Sequence, residues 1–264
     1  MNLLEDPFVQ SLTLELNQPG VIGIAIAGSC SRGEQDPHSD LDVDIFVDAL
    51  LDNAYMLRIM DGKLVSLKYI SLQDEFDSLK KPEGAIWAVM GLRQMQILLD
   101  ESGRLAELKQ AADDFKWDDV QEAGNKFAVE NLMGCSEEAH KVVSGLLQDN
   151  ESKVLHASWG MFKDLLLAAA VQAGLMIESE NHIFAMLQGH FSANPAWTRA
   201  FRLSFGMDVG DASLPVYQTR GLAALDLYEQ TALLFEHIID DKHREVIAYT
   251  RQLISSYKQG YRHE

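Results

Sequence analysis

The pattern of hydrophobic residues predicts several strands in the first part of the chain. Residues 21–28 form a nearly continuous apolar run, which predicts a buried central strand. Residues 40–48 alternate between charged and apolar side chains and predict a second strand. Residues 63–71 predict a third, and a further strand is expected within Gln94–Leu99. The segment Ser29–Ser39 is rich in Gly, Asp, Pro and Ser, and it predicts a loop.

Helical patterns precede and follow these strands. Asp6 and Pro7 predict the start of a helix ahead of the first strand. From Trp117 onward strand alternation stops, and apolar residues recur at helical spacing. Helices are expected over 118–147, 151–177, 182–191 and 216–258, with breaks at Asn150 and Asn194-Pro195. We therefore expect an α/β (α+β) domain with a mixed sheet over residues 1–115, followed by an all-α helical bundle over residues 116–264.

Composition and charge restrict the function classes. The chain has 264 residues and a net charge of −18, because 40 acidic residues outnumber 22 basic ones. Duplex DNA and anionic membranes attract basic patches, so this balance disfavours both as partners. The longest apolar run has about 13 residues, whereas a membrane span needs roughly 20, and no signal-peptide pattern is present. We expect a cytoplasmic protein. Three tryptophans, Trp87, Trp159 and Trp197, are expected in its core.

A cluster of carboxylates follows the predicted loop. Asp40, Asp42 and Asp44 are spaced two residues apart, and alternate residues of a strand share a face. Three neighbouring carboxylates repel one another, so they need a compensating cation. Mg²⁺ is usually held by one or two carboxylates together with substrate phosphates. The spacing therefore predicts a magnesium site, and the competing interpretation is a solvated acidic edge strand.

The residues just before the loop have the properties of a phosphate site. Gly28 lets the backbone approach a phosphate closely, and the amides that follow it can form an anion-binding nest. The Ser29 hydroxyl and the Arg32 guanidinium can reach phosphate oxygens. Together with the carboxylates, these residues predict that the chain binds a nucleotide with Mg²⁺.

The segment 27–48 resembles the signature of the nucleotidyltransferase superfamily of DNA polymerase beta. That signature is an apolar strand, Gly-Ser, a spacer of about ten residues and Asp-x-Asp, which Gly28, Ser29, Asp40 and Asp42 supply here. Within the superfamily the chain is most similar to the antibiotic nucleotidyltransferases, above all those that modify kanamycin, over roughly residues 20–180. The resemblance implies transfer of a nucleoside monophosphate, from Mg-ATP or another NTP, to a hydroxyl of a small acceptor such as an aminoglycoside or lincosamide. It also implies release of pyrophosphate and a homodimer with shared active sites.

The same resemblance implies a catalytic base in the helical part of the chain. It assigns this role to Glu137, with Lys141 contacting the phosphates, and a shift of one residue would assign it to Glu138 instead. The spacing of Glu137 and Lys141 places both on one side of a helix, where a carboxylate beside a lysine stays ionised and can accept a proton. The alternative is an exposed ion pair with no catalytic role.

One position departs from the family pattern. Ser66 stands where the family usually places a third carboxylate on the following strand, and Lys68 shares its face. Either Asp44 supplies the missing charge, or the metal site is weakened. Two further functions therefore stay open beside small-molecule transfer: a weak or inactive nucleotide-binding protein of the same fold, and an adenylyltransferase that modifies proteins.

Overall fold

The structure, a computed structural model, describes residues 5–50 and 54–261. The chain forms two compact units, of which the first runs to Val120 and includes Met176–Glu180. This unit is built on one mixed sheet in the order β3-β4-β2-β1-β5. Its strands are β1 (Val21–Ile26), β2 (Leu41–Val47), β3 (Tyr55–Met60), β4 (Lys63–Ser71) and β5 (Gln96–Leu99). Strands β2 and β4 are parallel, and the other neighbours are antiparallel.

Helices of the first unit pack on the apolar side chains of this sheet. They are α1 (Pro7–Leu16), α2 (Gly28–Arg32), α3 (Leu72–Ser78), α4 (Pro82–Gln94) and α5 (Arg104–Asp114). The side chain of Asp6 accepts a hydrogen bond from the amide of Phe8 and caps α1, with Pro7 in its first turn, as the sequence predicts. One buried cluster joins α1 to the sheet, and a second joins the sheet to α4 and α5.

The second unit is helical in its described part. Its helices are α6 (Gln121–Leu147), α7 (Glu151–Gln172), α8 (Ile183–His190), α9 (Pro195–Phe205), α10 (Val216–Leu234) and α11 (Asp241–Tyr261). Apolar residues at helical spacing form a buried stripe on α6, which consists of Ala128, Leu132, Cys135, Ala139, Val142 and Leu146. The predicted fold class, an α/β unit with a mixed sheet followed by a helical region, is therefore confirmed.

Helix α7 is long and apolar enough to span a membrane by length and composition. Its most apolar window has a mean hydropathy of 1.3, and 56% of that window is buried. A largely buried core helix of a soluble protein meets the same criteria, so this helix is weak support for a membrane span.

Four local predictions were wrong or incomplete. The first residues of the expected loop, from Ser29, belong to the short helix α2, which ends at Gly33 in a left-handed conformation. Strand β3 was missed because its apolar residues are not alternately buried and exposed. Helix α9 begins directly at Pro195, where only a break was expected. The expected helix 216–258 is two helices. Between them, Phe235, Ile238 and Ile239 keep the helical spacing of apolar residues, so the pattern conceals the break.

Candidate active site

The turn from β1 into α2 presses Gly28 against the neighbouring strand. Gly28 has a φ of +63°, which glycine adopts without the strain that a side chain would cause. A Cβ at this position would collide with Oδ2 of Asp42. The amide of Ala27 donates a hydrogen bond to the carbonyl of Asp42 at 3.0 Å. Two of the sequence-predicted residues, Gly28 and Asp42, are thus held in direct contact by the backbone.

Asp40 and Asp42 act on each other electrostatically. Asp40 directly precedes β2, and Asp42 is the second residue of that strand. Burial raises the pKa of Asp42, and the charge of Asp40 raises it further. A hydrogen bond with the Ser66 side chain is the largest influence that lowers this pKa. Part of the negative charge at this point of the sheet is therefore uncompensated by the protein.

The carboxylate oxygens of Asp40 and Asp42 are suitable ligands for a magnesium ion. Mg²⁺ commonly takes one or two protein carboxylates and completes its coordination with water and phosphate oxygens. A cation between Asp40 and Asp42 would also offset the repulsion that raises the pKa of Asp42. Across residues 5–50 and 54–261, no group of three or more His, Cys, Asp or Glu side chains is arranged to hold a metal. The donors available here are therefore two carboxylates.

Asp44 lies on the same face but has a different environment. In the parallel register of β2 and β4, Asp42 is beside Ser66 and Asp44 is beside Lys68. Burial, together with Glu75 and Asp42, raises the pKa of Asp44 to about 7, although Lys68 opposes the shift. Lys68 on the adjacent strand therefore compensates part of the negative charge of Asp44. Its role as a third metal ligand stays a prediction.

We expect Asp44→Asn to stabilise the protein in a pH-dependent way. An aspartate with a pKa near 3.9 when unfolded and about 7 when folded destabilises the fold as the pH rises from about 4 to 7. The penalty is absent below pH 4 and complete above pH 7, with an upper bound of about 4 kcal/mol. Because the variant also removes the attraction between the charges of Asp44 and Lys68, we expect a net gain of about 1–2 kcal/mol at pH 8.

Thermal unfolding with a chelator present, at pH 5 and pH 8, measures this effect. A gain for Asp44→Asn that is equal at both pH values would contradict the assigned pKa. Repeating the measurement with Mg²⁺ tests the ligand role, because an ion held by Asp44 would stabilise the natural protein more than the variant.

Ser29 and Arg32 both lie on α2, close to the carboxylates. The Ser29 side chain hydrogen-bonds with Cys30, whose thiol pKa is raised by burial and by the charges of Asp42 and Asp40. Arg32 is largely buried and donates to Glu34 Oε2 at 2.7 Å and to the carbonyl of Glu178 at 3.3 Å. Its charge still lowers the pKa of Asp42. A phosphate that binds Arg32 would therefore compete with the Glu34 carboxylate.

Glu137, Glu138 and Lys141 form a three-residue ion cluster on α6, in the second unit. Lys141 Nζ lies 2.8 Å from Glu137 Oε1 and 2.9 Å from Glu138 Oε1. The hydrogen bond from Lys141 lowers the pKa of Glu137, which keeps this carboxylate ionised. The Glu137 side chain is 76% exposed and Glu138 is 24% exposed. Glu137 therefore has the more accessible carboxylate of the two candidates.

Several residues around the carboxylates were not predicted from the sequence. The register of β3 with β4 places Leu57 beside Ser66 and Tyr55 beside Lys68, and both side chains are exposed. A cavity of about 310 Å³ next to Asp44 is lined by Glu75 and Trp87, among others. Strand β3 gave no alternating pattern, so its residues could not be assigned to this face. Trp87 was expected in the core and instead borders this cavity.

Comparison with known proteins supports the fold. Among solved structures, the chain is similar to a nucleotidyltransferase-like protein from Exiguobacterium sibiricum 255-15, with 15% sequence identity and a TM-score of 0.50. The match covers 86% of this chain and 75% of that chain. No protein-family model matches the sequence, and no curated protein matches it. The protein therefore has a nucleotidyltransferase-like fold, and the antibiotic branch expected from the sequence stays a prediction.

Proposed function

We propose that the protein transfers a nucleoside monophosphate, with AMP from Mg-ATP as the first choice, to a hydroxyl of a small molecule. The observation that carries this proposal is the contact of Gly28 with the Asp42 carboxylate, beside Asp40. A bare backbone next to paired carboxylates lets phosphate oxygens and a divalent cation occupy one site. An acidic cluster that only faces solvent would not require a glycine in close contact with one of its carboxylates.

Four residues of the first unit have a defined role in this reaction. Asp40 and Asp42 would hold Mg²⁺, which supplies positive charge to the phosphates and to the leaving pyrophosphate. The Ser29 hydroxyl donates a hydrogen bond to a phosphate oxygen, and Arg32 offers a charged donor after it separates from Glu34. The acceptor oxygen forms a bond to the α-phosphorus while the bond to pyrophosphate breaks.

The second unit would provide the base, and this part of the proposal rests on the family resemblance. Glu137 accepts the proton of the acceptor hydroxyl, because Lys141 keeps its carboxylate ionised. Lys141 offsets charge on the phosphates. The net charge of −18 suits a cationic acceptor such as an aminoglycoside.

A nucleotide-binding protein with weak or no turnover is the second candidate. It is favoured by Ser66, which hydrogen-bonds to Asp42 at the position where the family usually has a carboxylate. With two carboxylates only, the site suits one ion better than two. This candidate predicts that Mg-ATP binds tightly and that no acceptor releases pyrophosphate.

Pyrophosphate release separates these functions. The full chain is incubated with Mg-ATP and, in parallel, with kanamycin, lincomycin, simple polyols and an unfolded protein substrate. Release with an antibiotic or polyol supports small-molecule transfer, and release with the protein substrate alone supports a protein-modifying adenylyltransferase. ATP binding without release in any reaction supports the inactive candidate.

We expect Glu137→Gln to reduce kcat about 100-fold, since general-base catalysis contributes at least that much. The KM for ATP should change little, because Glu137 touches no nucleotide in this scheme. Glu138→Gln is the matched control, since it removes the other carboxylate that pairs with Lys141. A larger loss in Glu138→Gln would transfer the role of base to that residue.

We also propose a homodimer whose active sites each combine residues of both chains. Asp42→Asn and Glu137→Gln proteins, each nearly inactive, are mixed under conditions that allow subunit exchange. Random exchange makes about half of the dimers mixed, and each mixed dimer then has one intact site, so about a quarter of the natural activity should return. Recovery of nothing beyond the sum of the two parents, with exchange verified by mass, would leave sites formed within single chains.

A further inference from the structure

Three helices of the second unit enclose a cavity that the proposed reaction does not use. Its volume is about 280 Å³. Helix α7 contributes Ser158, Trp159 and Phe162, helix α9 contributes Phe205, and helix α10 contributes Arg220. The cavity thus combines aromatic rings with two serine side chains, Ser158 and Ser204, and one permanent positive charge.

Arg220 lacks a counter-charge within the described part of the chain. No ion pair or hydrogen bond of its guanidinium occurs among residues 5–50 and 54–261, and its Nε is buried without a partner. The group lies over Gly206, the C-cap of α9, where a Cβ would come within 2.5 Å of Nη2. A buried guanidinium nitrogen without an acceptor is rare in a folded protein.

Ser158 adds a second unpartnered polar group to the same cavity. The residue is 4% exposed, and its Oγ is buried without a hydrogen-bond partner in the described residues. A buried hydroxyl without a partner destabilises the fold. Ser158 Oγ and Arg220 Nε therefore both offer unused hydrogen-bonding capacity in one cavity. Both can donate, and the guanidinium can only donate, so the group that satisfies them has to be an acceptor.

The aromatic residues make the rest of the cavity suitable for a planar ring. The ring centroids of Phe162 and Phe205 are 5.0 Å apart, and those of Trp159 and Phe205 are 6.3 Å apart. Trp159 was expected in the core, yet it is 56% exposed, so this wall of the cavity is accessible from solvent. An exposed tryptophan ring can pack against a planar ligand.

We propose that this cavity binds a small aromatic carboxylate, independently of nucleotidyl transfer. The carboxylate accepts hydrogen bonds from Arg220 and from the Ser158 hydroxyl, and the ring packs among Trp159, Phe162 and Phe205. Ser158 Oγ and Arg220 Nε are buried, so a small acceptor that enters the cavity suits them better than the flat surface of a protein partner. The small volume suits a single ring with one acidic group rather than a polymer.

Binding of benzoate to the full-length protein tests this assignment, with benzamide as the neutral analogue of the same shape. The two ligands are titrated by NMR, following the indole N–H signal of Trp159, which is identified by its loss in Trp159→Phe. Benzoate is expected to shift this signal and to bind at least about tenfold more tightly than benzamide, because charge-assisted hydrogen bonds are lost with the amide.

Two variants test the donors. Arg220→Gln should remove the preference for benzoate over benzamide, and Ser158→Ala should weaken benzoate binding several-fold. Arg199→Gln is the control, since it removes an exposed arginine of α9 that does not line the cavity. Thermal unfolding verifies that each variant is folded, and Ser158→Ala keeps the test valid if Arg220→Gln does not fold.

Three results would overturn the proposal. One is equal binding of benzoate and benzamide. Another is a preference for benzoate that survives Arg220→Gln, and the third is the absence of any benzoate shift in the folded natural protein. If Arg220 serves only to stabilise the C-terminal end of α9, its variant lowers the unfolding temperature and no benzoate binds. If the cavity is instead covered by a second copy of the chain, Trp159→Ala lowers the dimer fraction and benzoate again does not bind.

Discussion

Nucleotidyl transfer is expected to fall at least about 100-fold when Asp42 is replaced by asparagine. The amide keeps the shape of the side chain but removes the charge that would hold the cation with Asp40. It also removes the repulsion that raises the pKa of Asp42, so the fold should stay intact and its stability without Mg²⁺ should be unchanged or slightly higher. Turnover and thermal unfolding are measured on the same preparation.

Asp61→Asn is the matched control for this substitution. Asp61 is exposed, lies in the turn between β3 and β4 and has a φ of 50°, which asparagine tolerates well. The control removes the same charge from the same unit and should keep full activity. Activity at the natural level in Asp42→Asn would exclude Asp42 as an essential ligand, whatever the control shows.

Gly28→Ala is expected to destabilise the first unit by about 2–4 kcal/mol, the sum of backbone strain and a steric clash. The strain follows from its φ of +63°, and the clash follows from the position of Asp42 Oδ2. Activity should fall together with stability, because the alanine methyl group displaces the carboxylate. Denaturant unfolding measures the change in the free energy of unfolding.

Gly33→Ala separates the two causes. Gly33 has a φ of +73°, and no atom lies within 4 Å of the point that an alanine Cβ would occupy, so only the strain of about 1 kcal/mol applies there. In a protein that already carries Asp42→Ala, Gly28→Ala should destabilise the fold about as little as Gly33→Ala does. The reason is that Oδ2 and Cγ of Asp42, which clash with the added methyl group, are then absent. Equal costs for Gly28→Ala in both backgrounds would show that the contact between Gly28 and Asp42 is not tight.

The sequence predicted those parts of the fold where burial alternates or recurs regularly. Strands β1, β2 and β4 and helix α6 follow such patterns, because each buries one face or is enclosed by its neighbours. Strand β3 lies at the edge of the sheet, and its exposed apolar residues match neither pattern. Local sequence patterns also predicted Gly28 and Asp42 as site residues. A glycine at the end of one strand, followed by a strand that carries carboxylates, indicates that the backbone can come close to a bound phosphate.

Contacts between distant residues could not be predicted. The pairing of Asp44 with Lys68 depends on the parallel register of β2 and β4, and no local pattern sets that register. Arg32 was assigned to phosphate without knowledge of its bonds to Glu34 and to the Glu178 carbonyl. The cavity at Arg220 joins three helices whose residues are far apart in the chain, so Trp159 looked like an ordinary core residue.

The fate of labelled phosphate tests the central claim most directly. ATP labelled at either the α- or the γ-phosphorus is incubated with Mg²⁺, the full chain and each acceptor that releases pyrophosphate. Our account predicts that the α-label enters the acceptor, that the γ-label leaves as pyrophosphate, and that Asp42→Asn abolishes both. Transfer of the γ-label to the acceptor, or no transfer of the α-label to any acceptor by protein that binds Mg-ATP, would contradict nucleotidyl transfer.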